Sequence, residues 1–283
     1  MPEGDSVHRV AAELDRALTG RELTRSDFRV PAHATADLTG RQVLGTVPRG
    51  KHLLTRFEGG LTLHTHLRMD GRWAVFGPGE RWSGGAAHQI RVVLGTEGPT
   101  AVGYRLPVVR LLRTAEESSV VGHLGPDLLG PDWSVAEAAR RLLAAPERPL
   151  GEALLDQRNL AGIGNIYANE LSFLASLTPW SPVADAAPVL DRLLARAQQL
   201  LDANKTRTGH PTVPDPRPGR LHWVYGRERR PCLRCGTPVR AATHDRDRPA
   251  YWCPHCQRGP TPGTPGAGGA SPGPGGAGRR SGR

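Results

Sequence analysis

The sequence predicts an α+β protein: an N-terminal helix, an antiparallel β-sandwich, a cluster of helices and a C-terminal hairpin held by cysteines. Three observations lead to this prediction. Apolar residues recur at helical spacing in the first 18 residues and again beyond residue 134, short β-prone runs lie between these regions, and the only four cysteines are clustered near the C-terminus. With 283 residues, the chain is long enough for two domains with separate cores.

An amphipathic helix is predicted at the start of the chain, over Pro2 to Leu18, with Gly20 as a stop signal. The periodic apolar positions are Val7, Val10, Ala11, Leu14, Ala17 and Leu18. The first residues carry acids and arginine where a signal peptide has an apolar run, and no stretch reaches the roughly 18 apolar residues of a membrane span. We therefore expect a cytoplasmic protein without a membrane partner.

Short runs rich in Val, Leu and Thr, broken by Gly and Pro, predict an antiparallel sandwich or barrel from about Glu22 to Leu112. The break Glu58-Gly59-Gly60 predicts a hairpin turn. The predicted strands are Gln42 to Val47, His52 to Phe57, Leu61 to His66, Trp73 to Phe76 and Ile90 to Leu94.

From Ser134 the apolar spacing is helical again, and short loops imply a helical cluster. The predicted helices are Ser134 to Ala144, Leu150 to Gln157, Asn165 to Ala175 and Val189 to Asn204. A proline-rich connector, His210 to Gly219, leads to the cysteine hairpin, and the Gly, Pro, Ser and Arg composition after Arg258 is typical of disorder. We expect domains at 1–115 and 130–220, the cysteine hairpin at 221–258 and a disordered tail at 259–283.

The positive charge of the chain is concentrated in its C-terminal part. The formal net charge is +10, and from Lys205 onward 15 Lys and Arg stand against four acidic residues. A field of one sign attracts polyanions, of which nucleic acid is the commonest in the cytosol. A solvated basic surface with an Arg-bearing tail has the same composition and is the alternative.

The four cysteines form two Cys-x2-Cys pairs. Cys232 and Cys235 are separated by 17 residues from Cys253 and Cys256, which is a spacing of tetrahedral zinc sites. Four thiolates leave no open coordination position, so we expect one structural Zn²⁺ and no catalytic metal. Four unrelated free cysteines, or a redox role for either pair, are the alternatives.

Between the cysteine pairs, Thr243 to Trp252 predict a hairpin with a polar tip and an aromatic return strand. Arg248 is the candidate phosphate ligand of this hairpin, because Pro249 fixes the backbone after it and a guanidinium suits a phosphate. An ordinary exposed arginine is the alternative.

A glycine loop joins two predicted helices over Asp156 to Asn165. Gly162 and Gly164 permit close approach of the backbone, and free N–H groups at the start of the Asn165 helix would bind a DNA phosphate. A plain corner between two helices has the same pattern.

Pro2 follows the initiator methionine, which is normally removed before a small residue. The mature chain would then begin with a secondary amine, and an α-amino group has a sizeable neutral fraction near pH 7 that can attack a carbonyl carbon. Glu3 beside it is placed for proton transfer. Proline also suits the first turn of any helix, so position alone leaves both interpretations open.

Five motifs follow one another along the chain: Pro2 to Asp5, Arg49 to Leu54, His66 to Gly71, Gln157 to Glu170, and the cysteine hairpin ending at Gln257. Together they closely resemble the formamidopyrimidine-DNA glycosylase and endonuclease VIII family of base-excision repair enzymes. The resemblance implies a helix-two-turns-helix domain after the sandwich, a zinc finger, and DNA bound in the cleft.

The resemblance also implies a bifunctional DNA glycosylase and AP lyase. Pro2 would attack C1′ of the damaged nucleotide and form a Schiff base, while Glu3 would donate the proton that opens the sugar. Lys51 would donate or relay a proton for β-elimination, and Arg248 would bind phosphate and assist δ-elimination. The expected partner is double-stranded DNA with a damaged base or an abasic site, bound by a monomer.

An enzyme that acts on a base takes it out of the stack, and an inserted side chain commonly fills the gap. Met69 matches the wedge position of the family, with a core methionine as the alternative. His66 and Asn165 match phosphate-binding positions, although His66 could simply cap its hairpin. Arg68 and His123 lie where endonuclease VIII members contact DNA.

The opening Pro-Glu-Gly resembles the endonuclease VIII branch, which favours oxidised pyrimidines as substrates. The segment His66 to Gly71 looks more like the formamidopyrimidine branch, which keeps oxidised purines open, but the Arg and Phe wedges of that branch are not identifiable in Arg105 to Arg113. Two rival classes are a non-catalytic DNA-binding protein, which would not need Pro2 or Glu3, and a zinc-dependent hydrolase, which would need an open metal position.

Overall fold

The computed structural model describes residues 2–243 and 248–263. Its first half is a helix, α1 (Gly4–Leu18), that packs on antiparallel strands. The strands are β1 (Arg25–Phe28), β2 (Val43–Arg49), β3 (His52–Phe57), β4 (Leu61–His66), β5 (Arg72–Phe76), β6 (Ile90–Gly95), β7 (Thr100–Tyr104) and β8 (Val108–Arg113).

These strands form two four-stranded sheets with the orders β1-β6-β7-β5 and β2-β3-β4-β8. Both sheets are antiparallel, and apolar residues of both, with the inner face of α1, share one core. The predicted sandwich is therefore confirmed. Strands β3 and β4 have the predicted bounds, and Gly59 and Gly60 between them take φ values of +83° and +72°, which only glycine adopts without strain.

The second half is a helical cluster with its own core. Its helices are α2 (Ser118–Val121), α3 (Val135–Leu143), α4 (Leu150–Leu155), α5 (Asn165–Leu174), α6 (Val183–Ala186) and α7 (Leu190–Asn204). Helix α5 is the centre of this half, because its residues from Asn165 to Phe173 are all buried. No helix in the described residues is long and apolar enough to cross a membrane.

The cysteine hairpin contains β9 (Arg240–Thr243) and β10 (Pro249–Trp252), which pair antiparallel, and packs on α5. The tip of the hairpin, residues 244–247, lies outside the described residues. The same holds for residues 264–283 of the predicted disordered tail. Before that point the chain still contacts the helical half, because the Thr178 hydroxyl donates to the Pro260 carbonyl over 2.6 Å.

Candidate active site

Glu3 lies where the N-termini of two helices meet. The residue precedes α1, and its side chain is fully buried against the start of α5. Its two carboxylate oxygens accept the backbone N–H groups of Gly164 and Ile166, each over 2.7 Å. The positive end of α5 therefore holds the carboxylate of Glu3.

The glycine loop is an anion site, but its anion belongs to the protein. The prediction that the Gly164 N–H binds a DNA phosphate is wrong, since this N–H donates to Glu3. Glycine is required there for space: a Cβ on Gly164 would lie 2.6 Å from Cδ of Glu3. A Cβ on Gly4 would likewise lie 2.9 Å from Cα of Gly162, whose carbonyl accepts the Gly4 N–H over 2.9 Å.

Lys51 reaches the same loop from the sandwich. It follows Gly50 in the turn between β2 and β3, and its Nζ donates to the Ile163 carbonyl over 2.5 Å. The turn is fixed by Asp127, whose carboxylate accepts the Gly50 N–H over 2.6 Å. Gln157 donates to the same Ile163 carbonyl over 2.8 Å. The structure therefore brings Glu3 and Lys51 together at residues 163–166.

Burial shifts both of these groups toward their neutral forms. Burial raises the pKa of Glu3, while the nearby charge of Lys51 opposes the rise. Burial lowers the pKa of Lys51 to about 8, Glu3 opposes this, and the positive charge of Arg248 adds to it. A carboxyl with a raised pKa beside an amine with a pKa of about 8 is suited to general acid–base chemistry.

Arg248 lies in the cysteine hairpin, directly before β10. It is half-buried and lines a cavity of about 450 Å³ together with His123. The other lining residues are Arg148, Glu152, Leu155, Asp156, Gln157 and Arg158. Arg148 and Arg158 are paired with Asp156, over 2.8 and 2.7 Å. Arg248 and His123 thus face one cavity at the edge of the glycine loop.

His66, Arg68 and Met69 lie at the end of β4. Met69 is 62% exposed, so the alternative of a core methionine is wrong. The His66 ring does cap the turn, since its Nδ1 accepts the Arg68 N–H over 2.9 Å, and Arg68 has a φ of +46°. Burial, then the charge of Lys51, lowers the pKa of His66 to about 4, so its ring is neutral at pH 7.

Asn165 connects α5 to the cysteine hairpin. The residue is buried, and its amide donates to the Pro249 carbonyl over 2.9 Å. One turn later, the Asn169 side chain accepts the Tyr251 N–H over 2.6 Å. The residue after Arg248 is therefore held by the same helix that holds Glu3.

The four cysteines converge as the spacing predicts. Their Sγ atoms all lie within 4.8 Å of one another, with Cys235 and Cys253 at 3.5 Å and Cys232 and Cys256 at 4.0 Å. Tetrahedral zinc with Zn–S bonds of about 2.3 Å separates its sulfurs by roughly 3.8 Å. The cluster therefore fits a four-thiolate metal ion.

Sequence reasoning missed two buried carboxylates near the site. Asp5 binds Tyr167 and His210, and Glu170 accepts the N–H groups of three successive residues that begin at Trp223. Both lie in recognised motifs, but nothing in their spacing indicates their partners. An acid on the apolar face of a predicted helix was the available signal.

Comparisons with known proteins show the family of the chain. The family model described as the formamidopyrimidine-DNA glycosylase N-terminal domain matches residues 1–105, and that of the H2TH domain of the same enzymes matches residues 124–204. The probable endonuclease 8 2 of Streptomyces coelicolor is 63% identical, with 93% of this chain and 96% of the relative covered. The DNA-(apurinic or apyrimidinic site) lyase Nei2 of Mycolicibacterium smegmatis is 46% identical, with 91% and 99% covered.

Solved structures share the fold at lower identity. Lactococcus lactis formamidopyrimidine-DNA glycosylase, non-covalently bound to DNA containing an AP site, superposes with a TM-score of 0.74 at 20% identity. The match covers 91% of this chain and 100% of that one. A structure of MutM in complex with DNA containing carbocyclic 8-oxo-G gives the same TM-score at 21% identity and the same coverage.

Proposed function

The chain belongs to the formamidopyrimidine-DNA glycosylase and endonuclease VIII family and is a DNA glycosylase with AP lyase activity in base-excision repair; from this premise we propose that it removes oxidised pyrimidines through a Schiff base at Pro2 and cleaves the strand by β,δ-elimination. One observation carries the proposal. The buried carboxyl of Glu3, held by two amides of α5, adjoins both Pro2 in the chain and Lys51 in space.

In the first step, after removal of Met1, the Pro2 nitrogen attacks C1′ of the damaged nucleotide. The C1′–N bond to the base breaks, and the base leaves with the proton that the Pro2 nitrogen loses as it bonds to C1′. Glu3 protonates the ring oxygen as the C1′–O4′ bond opens, which leaves an iminium between Pro2 and C1′. The raised pKa of Glu3 supports this role, because a proton donor must hold its proton near neutral pH.

In the second step, β-elimination, a proton leaves C2′, its bonding pair forms the C2′–C3′ double bond, and the C3′–O bond breaks as the 3′ phosphate departs. Lys51 takes up and relays the C2′ proton or donates one to the departing oxygen, because its pKa of about 8 gives it both neutral and protonated forms near neutrality. Arg248 binds the phosphate that leaves in the following δ-elimination. The position of Arg248 in the cavity beside Gln157 supports this assignment.

The DNA partner is a duplex with a damaged base or an abasic site, bound by one copy of the chain. We assign Met69 as the wedge that fills the vacated stack, because it is exposed at the end of β4. His66, Arg68, His123 and Asn165 are assigned to the DNA backbone. For His66 the neutral ring indicates a hydrogen bond, and not an ion pair, to phosphate.

Zinc is the metal that the four thiolates fit best, and it would be structural, because the cysteines fill its coordination shell. When bound, it holds the two ends of the hairpin together. In that hairpin Arg248 directly precedes Pro249, and the amide of Asn165 ties Pro249 to α5 by donating to its carbonyl. The reducing bacterial cytoplasm, which keeps such thiolates free of disulfides, is the proposed location.

A second candidate is an enzyme that acts mainly at preformed abasic sites. The Mycolicibacterium smegmatis relative is named as a lyase of such sites. In this case base removal is slow, while Schiff base formation and elimination at an abasic site are fast. Oxidised purines are the third substrate class, since the segment around Met69 resembles that of the purine-specific branch.

Borohydride trapping on a duplex with one abasic site tests the proposal. We expect a covalent adduct with the wild-type protein, and its loss in Pro2→Gly; an undiminished adduct in that variant would contradict the assignment of the nucleophile. Intact mass beforehand establishes whether Met1 is removed. Duplexes with dihydrouracil, thymine glycol, 8-oxoguanine or an abasic site, compared by single-turnover rate, then decide among the substrate classes.

A further inference from the structure

A buried polar cluster lies directly behind Glu3. The Asp5 carboxylate, in the first turn of α1, accepts the Tyr167 hydroxyl of α5 over 2.6 Å and binds Nδ1 of His210 over 2.7 Å. Asn204, at the end of α7, donates to the same Tyr167 hydroxyl over 2.9 Å. Asp5 is 1% exposed, and this cluster joins the first turn of α1 to three other segments.

The backbone takes an unfavourable conformation to deliver His210 to this cluster. Gly209 and His210 have φ values of +86° and +52°. The second value is uncommon for a residue with a side chain and is unfavourable. Two further contacts hold this conformation: His222 Nε2 lies 3.1 Å from the His210 carbonyl, and Asn204 donates to the Pro211 carbonyl over 2.8 Å.

His210 and Asp5 also act on Glu3 with opposite signs. The negative charge of Asp5 raises the pKa of Glu3, and the positive charge of protonated His210 lowers it, as does Lys51. The other titratable groups around His210 are Tyr167 on α5 and His222 in its own segment. Without His210, the charge of Asp5 would act on Glu3 unopposed by its partner.

We propose that His210 is a positioning residue for catalysis: through its hydrogen bond to Asp5 it fixes the first turn of α1, and so Pro2 and Glu3, and in its protonated form it offsets the charge of Asp5 beside the catalytic carboxyl. This inference rests on the proposed function of Glu3 as proton donor. His210 lies in the connector, 44 positions beyond Ile166, whose amide holds Glu3. By this inference it influences the protonation of Glu3 from outside the glycine loop.

His210→Asn is the decisive variant, because asparagine tolerates a positive φ and places an amide N–H close to the position of Nδ1. It keeps the hydrogen bond to Asp5 and removes the charge. We expect excision of a damaged base at the optimum within about threefold of wild type. The basic limb of its pH profile should move up by about half a pH unit, because Glu3 then holds its proton to higher pH.

Asp5→Asn should move the same limb in the opposite direction, because it removes the negative charge next to Glu3. His210→Leu, which removes both hydrogen bond and charge, should slow excision by about tenfold or more while the dissociation constant for the duplex changes little. The exposed His88, replaced by Asn, is the control for general effects of losing a histidine.

A pH profile of His210→Asn that coincides with wild type would overturn the inference, whatever His210→Leu does to folding. The proposed function is tested by a different result: it would be contradicted if the wild-type protein itself gave no borohydride adduct. An adduct with wild type, together with unshifted limbs in both Asn variants, would reject the role of His210 alone.

Discussion

Glu3 and Glu170 are two fully buried carboxylates, one packed on the start of α5 and one within it, that accept backbone amides, yet we propose a catalytic role for only one of them. Glu3 accepts the N–H groups of Gly164 and Ile166. Glu170 accepts those of Trp223, Val224 and Tyr225 at 2.7 to 2.9 Å, and the hydroxyl of Thr212 as well. By burial and amide contacts alone, the two sites are alike.

Their neighbours separate them. Glu3 lies beside Lys51 and next to Pro2, so a second titratable group and the proposed nucleophile are close to it. Glu170 faces donors of one segment, residues 223–225, which it ties to α5 ahead of the cysteine hairpin. A buried, amide-bound carboxylate thus becomes a candidate acid only where a second titratable group lies beside it.

Replacing Glu3 and Glu170, each by glutamine, should give the largest difference in excision rate between the two sites. Glu3→Gln should reduce excision of a damaged base by about 10²- to 10⁴-fold, because the proton donor is lost. Much of the cleavage at preformed abasic sites should remain, since the sugar there is already free of its base. Single-turnover rates on the two duplexes measure this, and equal losses on both would contradict the role given to Glu3.

Gly164→Ala should disturb Glu3 without changing its chemistry. The new methyl group would lie 2.6 Å from Cδ of Glu3, so the carboxylate must move, and we expect about a hundredfold slower excision. Gly77→Ala is the matched control, because its nearest contact, Glu80, is at an ordinary 3.6 Å. Equal rates for the two variants would mean that the position of Glu3 is not critical.

Glu170→Gln should lower the stability of the fold and leave the rate of excision nearly unchanged. The amide offers one acceptor oxygen to donors that now bind two, and we expect the free energy of unfolding to fall by about 2 kcal/mol. Denaturant unfolding measures this, with the exposed Glu147→Gln as control. Excision per folded molecule should stay within about threefold of wild type; a loss as large as that of Glu3→Gln would erase the contrast.

The pH dependence of elimination gives the smallest effect. If protonated Lys51 donates the proton, cleavage at abasic sites should fall about tenfold per pH unit above pH 8, because burial lowers its pKa from 10.5 to about 8. Lys51→Gln should lack this limb. Lys205→Gln, which replaces the one other lysine of the chain, should retain it. Borohydride trapping reports the amine of Pro2 separately.

Local signals were sufficient for most of the fold. Helix α5 and strands β3 and β4 are rich in apolar residues and each begins within two residues of a glycine, and the Cys-x2-Cys pairs indicated their cluster directly. Strands β1, β7 and β8 were not predicted as elements. β1 carries Arg, Ser and Asp, and β7 contains Gly103, which is required because a Cβ there would lie 2.4 Å from Leu106.

The site was less accessible to sequence reasoning, because its key contacts are distant in the chain. Glu3 and Gly164 are 161 positions apart, and their hydrogen bond shows that the Gly164 N–H binds a side chain of the protein and not a DNA phosphate. A helix N-terminus predicts an anion but does not say whether the anion is a ligand or a side chain. Asp5 and His210 are 205 positions apart, and no sequence pattern around either residue indicates that they are hydrogen-bonded.

The docking of Glu3 on α5 has a consequence for synthesis. A ribosome releases the N-terminal domain first, and at that stage the carboxyl of Glu3 has no amides to hold it and the amine of Lys51 has no Ile163 carbonyl to bind. The contacts that bring Glu3 and Lys51 together can therefore form only after residues 163–166 have emerged from the ribosome. Folding of the helical half is thus the step that assembles the candidate site.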